Sequence, residues 1–325
     1  MQMNFIFPTS LNKTGWPWST DIPEFPEKMP DGQDWPKISI ITPSYTQGQF
    51  IEATIRSILL QGYPNLEYFV IDGGSKDNTI DILIKYDKFI TKWVSEPDNG
   101  QTHAINKGIK YATGEIVAYL NSDDLYLSDS LKTAALYLTS HPDVTMVYGN
   151  ILHIDKSGDI IERVENDDFD YDGLLSWILY IPQPATFIRG TVIKEIGLFD
   201  ETLNLGMDHD YWVRIGLNHT IKHIHEYLAC ARMYPEIKSK SRYLDYIDEH
   251  TYILNKLFSD ETATQKISSK KSQYYSSINY FAARGHIFQW KLIKGLKYLF
   301  RSVKINPKIT IDLFLWDLKK VRKFF

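Results

Sequence analysis

A single cysteine, Cys230, stands in a chain of 325 residues. One thiol excludes an intramolecular disulfide and a cysteine metal cluster, and it fits a reducing compartment. No apolar run approaches the roughly 20 residues that a membrane span needs. The opening MQMNFIFPTSLNKTGWPW has neither the basic start nor the long apolar stretch of a secretory signal. These absences predict a cytoplasmic protein. There is no G-x-x-x-x-G-K-[ST], which excludes a P-loop, and no G-x-G-x-x-G after a strand, which speaks against a dinucleotide-binding turn. No internal repeat is evident, so a solenoid or propeller is not expected.

What is present is an ordinary soluble composition, 43% hydrophobic and 23% charged, on a chain long enough for one large or two modest domains. Tyrosine (21) and tryptophan (8) are plentiful, either as core or as surfaces that stack on sugars. The net charge of −4 is unevenly spread. Residues 284–325 hold 11 Lys and Arg against 2 Asp and Glu, a balance of +9, so the other 283 residues carry −13. That asymmetry asks for an anionic partner or a solvated basic face.

Residues 1–36 are rich in proline and tryptophan, which rules out a regular helix and predicts an extended arm held down by Trp16, Trp18 and Trp35. From Lys37, short apolar strands (38–42, 66–72, 92–96, 115–120) alternate with helices (48–61, 79–86, 101–112). This is the pattern of βαβ units and a mainly parallel sheet. A helix at 129–140, a strand at 144–155, and a turn at KSGD into IIERV follow, so the alternation is no longer strictly parallel. Strand 185–189, a helix over 207–219 and strand material at 220–234 precede a region that reads as helical to the end. The expected organisation is an arm (1–36), an α/β domain (37–238) and a basic helical region (239–325).

In an open α/β sheet, ligands bind beyond the carboxyl ends of the strands. Three such ends carry suggestive residues. After the first strand, TPSYTQGQ offers Tyr45, a ring that can stack on a flat base or simply sit on the surface. After the second, IDGGSKDNT places Asp72 before two glycines, with Ser75 or Asp77 able to cap the next helix. After the fourth, LNSDD sets Asp123 beside Asp124. Two adjacent carboxylates repel, so either they are solvated turn residues or a cation sits between them and a bound phosphate. Further on, GMDHDYWVRIG places Asp208 near a helix start, as a dipole-favoured acid or a general base. Asp210 and Arg214 share a face as a local ion pair.

These stretches, in this order over about residues 37–235, resemble inverting glycosyltransferases of family 2 with the GT-A fold. The carrying segments are ISIITPSYTQGQFIEATIRSILLQGYPNLEYFVIDGGSKDNT, SEPDNGQTHAINKGIKYATGEIVAYLNSDD, IPQPATFIR and MDHDYWVRIG. The resemblance implies a nucleotide-diphospho-sugar transferase fold, an α/β sheet flanked by helices with a C-terminal helical extension. It implies that Pro43, Ser44, Tyr45, Asp72, Gln101, Asn121 and Asp123 line the donor site. It also implies that Asp124, with Asp123, holds Mn2+ or Mg2+, and that Asp208 is the base. The donor would be a UDP-sugar, and the acceptor a hydroxyl of a saccharide or glycolipid. Three positions depart from the family pattern. Gly73 stands where many members have a base-reading aspartate, Ile105 where many have an arginine, and Tyr234 near where relatives carry a histidine. Arg232 and Lys238 remain as phosphate contacts.

The C-terminal stretch interleaves Ile287, Trp290 and Ile293 with Lys294, Lys297 and Arg301. Such a pattern suits an anionic membrane surface, where lipid-linked acceptors reside, or a helical bundle with a solvated basic face. No nucleic-acid motif accompanies the charge. The leading expectation is a single-transfer hexosyltransferase of polysaccharide or glycolipid assembly. The alternatives are a catalytically silent nucleotide-sugar-binding partner and a nucleotidyltransferase, which would need a basic phosphate loop that TPSYTQGQ lacks.

Overall fold

The computed structural model describes residues 15–18, 25–235 and 242–321. In chain order its elements are β1 (Ile38–Ser44), α1 (Ile51–Leu59), β2 (Leu66–Asp72), α2 (Thr79–Tyr86), β3 (Lys92–Ser95), α3 (Gln101–Tyr111), β4 (Ile116–Tyr119), β5 (Leu125–Tyr126) and α4 (Ser130–Ser140). There follow β6 (Val144–Ile154), β7 (Ile160–Val164), α5 (Tyr171–Leu175), β8 (Thr186–Arg189), α6 (Gly190–Ile196), α7 (Met207–Gly216) and β9 (Thr220–Arg232). The last five helices are α8 (Tyr243–Ser259), α9 (Glu261–Ile267), α10 (Lys271–Phe288), α11 (Leu292–Ile305) and α12 (Pro307–Val321).

The chain forms two compact units. One gathers Met1–Asn166, Ile181–Asn204 and His219–Tyr234; the other gathers Asp167–Tyr180, Leu205–Asn218 and Pro235–Phe325. A single cut near residue 238 does not describe this grouping, because α5 and α7 belong with the C-terminal helices.

The first unit is built on one sheet in the order β3-β2-β1-β4-β8-β6-β9-β5, with β7 beside β6. Strands β1 to β4 run parallel, whereas β8 is antiparallel to both its neighbours. Every residue of β1 is buried, as a strand covered on both faces requires. Ile51, Ile55 and Ile58 of α1 join Ile38, Ile40 and Val70 in the core. On α3, a Cβ at Gly108 would lie 2.4 Å from Ile41 Cγ2, so the helix reaches β1 only with glycine there. The KSGD turn forms as expected: Asp155 Oδ1 accepts from the backbone N–H of Ser157, Gly158 and Asp159, and Gly158 takes φ +100°.

The described part of the N-terminal segment packs on this unit. Trp16 donates its indole N–H to the Tyr126 carbonyl at 2.8 Å, and Trp35 meets Phe25 and Tyr63 edge-on. Arg56 is buried in α1 and donates to the Pro17 carbonyl at 2.9 Å, with the Trp18 ring 5.3 Å from its guanidinium. A buried cation needs such acceptors, and the proline-rich segment supplies them.

Two strand pairings, one antiparallel and one parallel, position the chemistry. β5 pairs with β9 through Leu125↔Cys230, which pins the turn after β4 to the end of β9. The level pairing Ser44↔Asp72 brings the ends of β1 and β2 together, and the Gly73 N–H donates to the Ser44 carbonyl at 2.8 Å.

The second unit is helical. Asp170 caps α5 and Asp260 caps α9, each accepting backbone N–H bonds. Trp177 stacks on Tyr243, Tyr246 and His250 at 5.4–5.6 Å and meets Phe281 edge-on. Helices α10, α11 and α12 approach through small polar residues, with Ser276, Ser302 and Thr310 hydroxyls bonded to one another. Among the described residues, no helix is long and apolar enough to cross a membrane.

Candidate active site

Three of the strand ends read from the sequence are neighbours in the sheet: β2, β1 and β4. At the end of β1, Pro43 pairs with Ile71, and Ser44 is buried with no partner for its hydroxyl among the described residues. Tyr45 follows with 66% of its surface exposed, a free ring beyond the sheet. Ile105 lies fully buried in α3 and offers no polar group.

Asp72 is buried, and both carboxylate oxygens are taken within its own loops. Gly74 and Ser75 N–H groups and the Ser95 hydroxyl donate to Oδ2, and the Ser75 hydroxyl donates to Oδ1 at 2.5 Å. This carboxylate shapes the turn. Ser75 is thereby spent on Asp72 and on the Thr46 N–H, and Asp77 accepts from the Thr79 N–H at the start of α2. Gly74 takes φ +83° against the backbone of Pro97, which brings the loop after β3 close. In that loop, Asp98 accepts from the Gly100 N–H at 2.8 Å through Oδ1. Its Oδ2 lies 3.0 Å from where a Cβ on Gly73 would be. A carboxylate thus fills the space that glycine leaves open. Sequence reasoning passed over Asp98; the only signal was an acid in SEPDNG after a strand.

Beyond β4, the acidic pair is held by a polar web. Gln101 donates to Asn121 Oδ1 at 2.7 Å, and Asn121 Nδ2 reaches Gln183 Oε1 at 3.2 Å and Asp124 Oδ2 at 3.4 Å. Gln183, the other residue the sequence did not mark, donates to the Tyr119 carbonyl at 2.7 Å. Asp124 is buried, and its Oδ1 accepts the Arg232 N–H at 2.9 Å. Arg232 turns its guanidinium to the Asp123, Asp155 and Lys156 carbonyls and lies 4.6 Å over the Phe50 ring. Its side chain is committed to positioning the turn rather than open to a ligand. Tyr234 donates its hydroxyl to Asp123 Oδ2 at 2.7 Å. Burial holds the Asp124 carboxyl well above the usual carboxylate range, and the Asp123 charge adds to this against the Arg232 N–H and Asn121. A buried carboxylate whose charge is resisted is one that a divalent cation would stabilise. Asp124 and Asp123 therefore fit an oxygen-ligated Mg2+ or Mn2+.

In the second unit, Asp208 lies in the first turn of α7, with its Oδ1 2.7 Å from the His209 N–H. Burial pushes its carboxyl up to about 6; hydrogen bonds from the His209 backbone and the Tyr246 hydroxyl pull down, and the nearby Glu249 charge pushes up. Glu249 itself accepts from the Leu205 and Gly206 N–H groups and so fixes the entry to α7. Asp210 pairs with Arg214 at 2.8 Å, the local ion pair expected from their spacing. Lys238 lies outside the described residues.

Residues 39–197 match the sequence profile of Glycosyl transferase family 2. That match covers just under half of the chain. An uncharacterised glycosyltransferase of Rickettsia typhi is 28% identical over 89% of this chain and 98% of its own. One of Methanocaldococcus jannaschii is 22% identical over 86% and 94%. Among solved structures, S. aureus TarS 1–349 in complex with UDP-GlcNAc is similar at TM-score 0.61 and 18% identity, over 84% of this chain and 82% of that one. Mannosyltransferase PcManGT of Pyrobaculum calidifontis, in complex with GDP-Man and Mn2+, is similar at TM-score 0.58 and 18% identity, over 87% and 80%. The chain thus has the GT-A fold expected from its sequence, with a helical C-terminal region.

Proposed function

We propose that this chain is a family 2 glycosyltransferase that moves a hexose from a UDP-sugar to a hydroxyl of a saccharide or lipid-linked saccharide in one inverting displacement. The observation that carries the reading is the buried Asp124 carboxylate, paired with Asp123 and braced by Arg232 at a strand end beside Tyr45. Such an arrangement suits a cation and a diphosphate. Tyr45 stacks on the base, Pro43 and Ser44 form the pocket floor, and Asp72 keeps the adjoining loop in shape. Gln101 and Asn121 orient the acidic pair. Asp123 and Asp124 would hold Mn2+ or Mg2+, which would supply positive charge against that developing on the departing diphosphate. Asp208 takes the proton of the acceptor hydroxyl, whose oxygen forms the new bond to the anomeric carbon as the bond to the diphosphate breaks. The basic C-terminal helices would face an anionic membrane surface that carries a lipid-linked acceptor.

A GDP-sugar is the second reading, since Asp98 serves either base and a GDP-sugar is bound in a similar structure. A carboxylate beside Gly73 can accept from the ring N–H of uracil or of guanine, and both UDP-GlcNAc and GDP-Man occur in the similar structures. Asp98→Ala should weaken UDP or GDP binding by about tenfold, the loss of one hydrogen bond to a charged acceptor. It should leave N3-methyl-UDP, which lacks the donor, unchanged. Equal loss for both ligands would remove Asp98 from base reading. The reaction itself is tested by a screen of nucleotide sugars with NMR of the product. An anomeric configuration opposite to the donor's is expected; retention would overturn the single displacement.

A further inference from the structure

Helix α11 has three distinct sides. Gly295 and Ser302, seven residues apart, are its buried positions. Ile293, Leu296, Phe300 and Val303 recur three to four residues apart, with Leu292 next to them, on a side that is open to solvent; Ile293 is 74% and Phe300 71% exposed. Lys294, Lys297, Arg301 and Lys304 follow at spacings of three and four, so they form one exposed stripe beside the apolar one. Trp290, in the turn before the helix, is 88% exposed. Water is a poor solvent for so long an apolar stripe, and patches of this kind mark a docking face.

Beside this helix is a cavity of about 400 Å³ between α8, α10 and α11. Arg301 and Lys304 line it together with Tyr275, Tyr298, Asn279 and one acid, Asp248. Two cations against one acid leave the lining net positive. Neither Arg301 nor Lys304 has an ion pair among the described residues. The Arg301 guanidinium lies 5.4 Å from the Tyr298 ring centre. The Tyr298 ring in turn stacks on His286 at 5.2 Å.

We propose that α11 is an interfacial anchor and that this cavity takes the phosphate headgroup of an anionic membrane lipid. The proposal rests on the reading of the C-terminal region as membrane-facing and adds a headgroup site to it. The apolar stripe enters the acyl boundary, with Trp290 at headgroup level, where an indole finds both apolar chains and polar partners. The lysine stripe lies along the surface, and Arg301 with Lys304 closes on one phosphate. Charge decides the occupant. A second copy of this chain would bring an equal excess of positive charge to the same face, whereas an anionic bilayer supplies the missing negative charge.

The test is sedimentation of the full chain with vesicles of phosphatidylcholine alone or mixed with phosphatidylglycerol. The wild type should sediment only with the anionic vesicles, and Ile293→Asp with Phe300→Asp should abolish this with the thermal melt unchanged. Two double variants remove equal charge: Lys294→Gln with Lys297→Gln outside the cavity, and Arg301→Gln with Lys304→Gln within it. Surface attraction alone costs about fivefold per cation in either variant. A headgroup site makes the cavity variant lose about tenfold more than the outer one. Equal losses would overturn the headgroup site while keeping the anchor. Absence of wild-type binding would overturn both. A wild-type dimer that Ile293→Asp with Phe300→Asp converts to monomer would replace the membrane with a second copy.

Discussion

Asp208 is a carboxyl in a place that resists its charge. Burial raises it from 3.8 to about 6, so the native chain holds a proton there to a higher pH than the unfolded chain does. Its contribution to stability is fully present below about pH 4 and is lost as the pH rises through about 6. At neutral pH the half-buried charge costs up to about 3 kcal/mol. The same strain poises a base near neutrality. Asp208→Asn should therefore lower transfer by about 10²–10⁴-fold while leaving the melting temperature equal or higher. In the wild type, kcat/KM should rise with pH through about 6 and then level. A variant that keeps full activity, or a profile flat from pH 5 to 8, would remove the base assignment. Asp208 was legible in the sequence as an acid near a helix start, but its burial was not. The groups that act on it, Tyr246 and Glu249, come from a helix about forty residues away. Asp98 escaped notice for a similar reason: only the fold sets it against Gly73.

At the scale of elements, the positions that carry chemistry lie where strands end, and those ends follow from local pattern. The apolar run of β1, the β2 run into Asp72 and the β4 run before Asn121 mark themselves by composition. What brings them level is pairing across the chain, Ser44↔Asp72 and Leu125↔Cys230 above all, and no local pattern shows a register. The approach of α3 to β1 tests this packing. Gly108→Ala gains about 1 kcal/mol of helix propensity. It also drives a methyl to within 2.4 Å of Ile41 Cγ2, an overpacking that costs about 1–3 kcal/mol. The clash should prevail, so the variant should unfold at lower denaturant. A midpoint raised above the wild type would show that Ile41 moves aside easily.

Across the whole molecule, the chain order and the spatial order differ. Segments 167–180 and 205–218 leave the α/β sequence to join the C-terminal helices. A reading along the chain could not detect this, because their partners, such as Tyr243 and Phe281 around Trp177, are distant in sequence. The charge asymmetry, by contrast, was visible from composition, and the structure places part of it along one side of α11. The account as a whole stands on the acidic pair. Calorimetric titration of UDP, GDP and dTDP into the wild type and Asp124→Ala, each with Mn2+ and with EDTA, tests it most directly. The account predicts that the wild type binds UDP with Mn2+ and that either EDTA or Asp124→Ala removes this binding. UDP binding that is equally tight in EDTA or in the variant, or no binding of any of the three nucleotides, would contradict it.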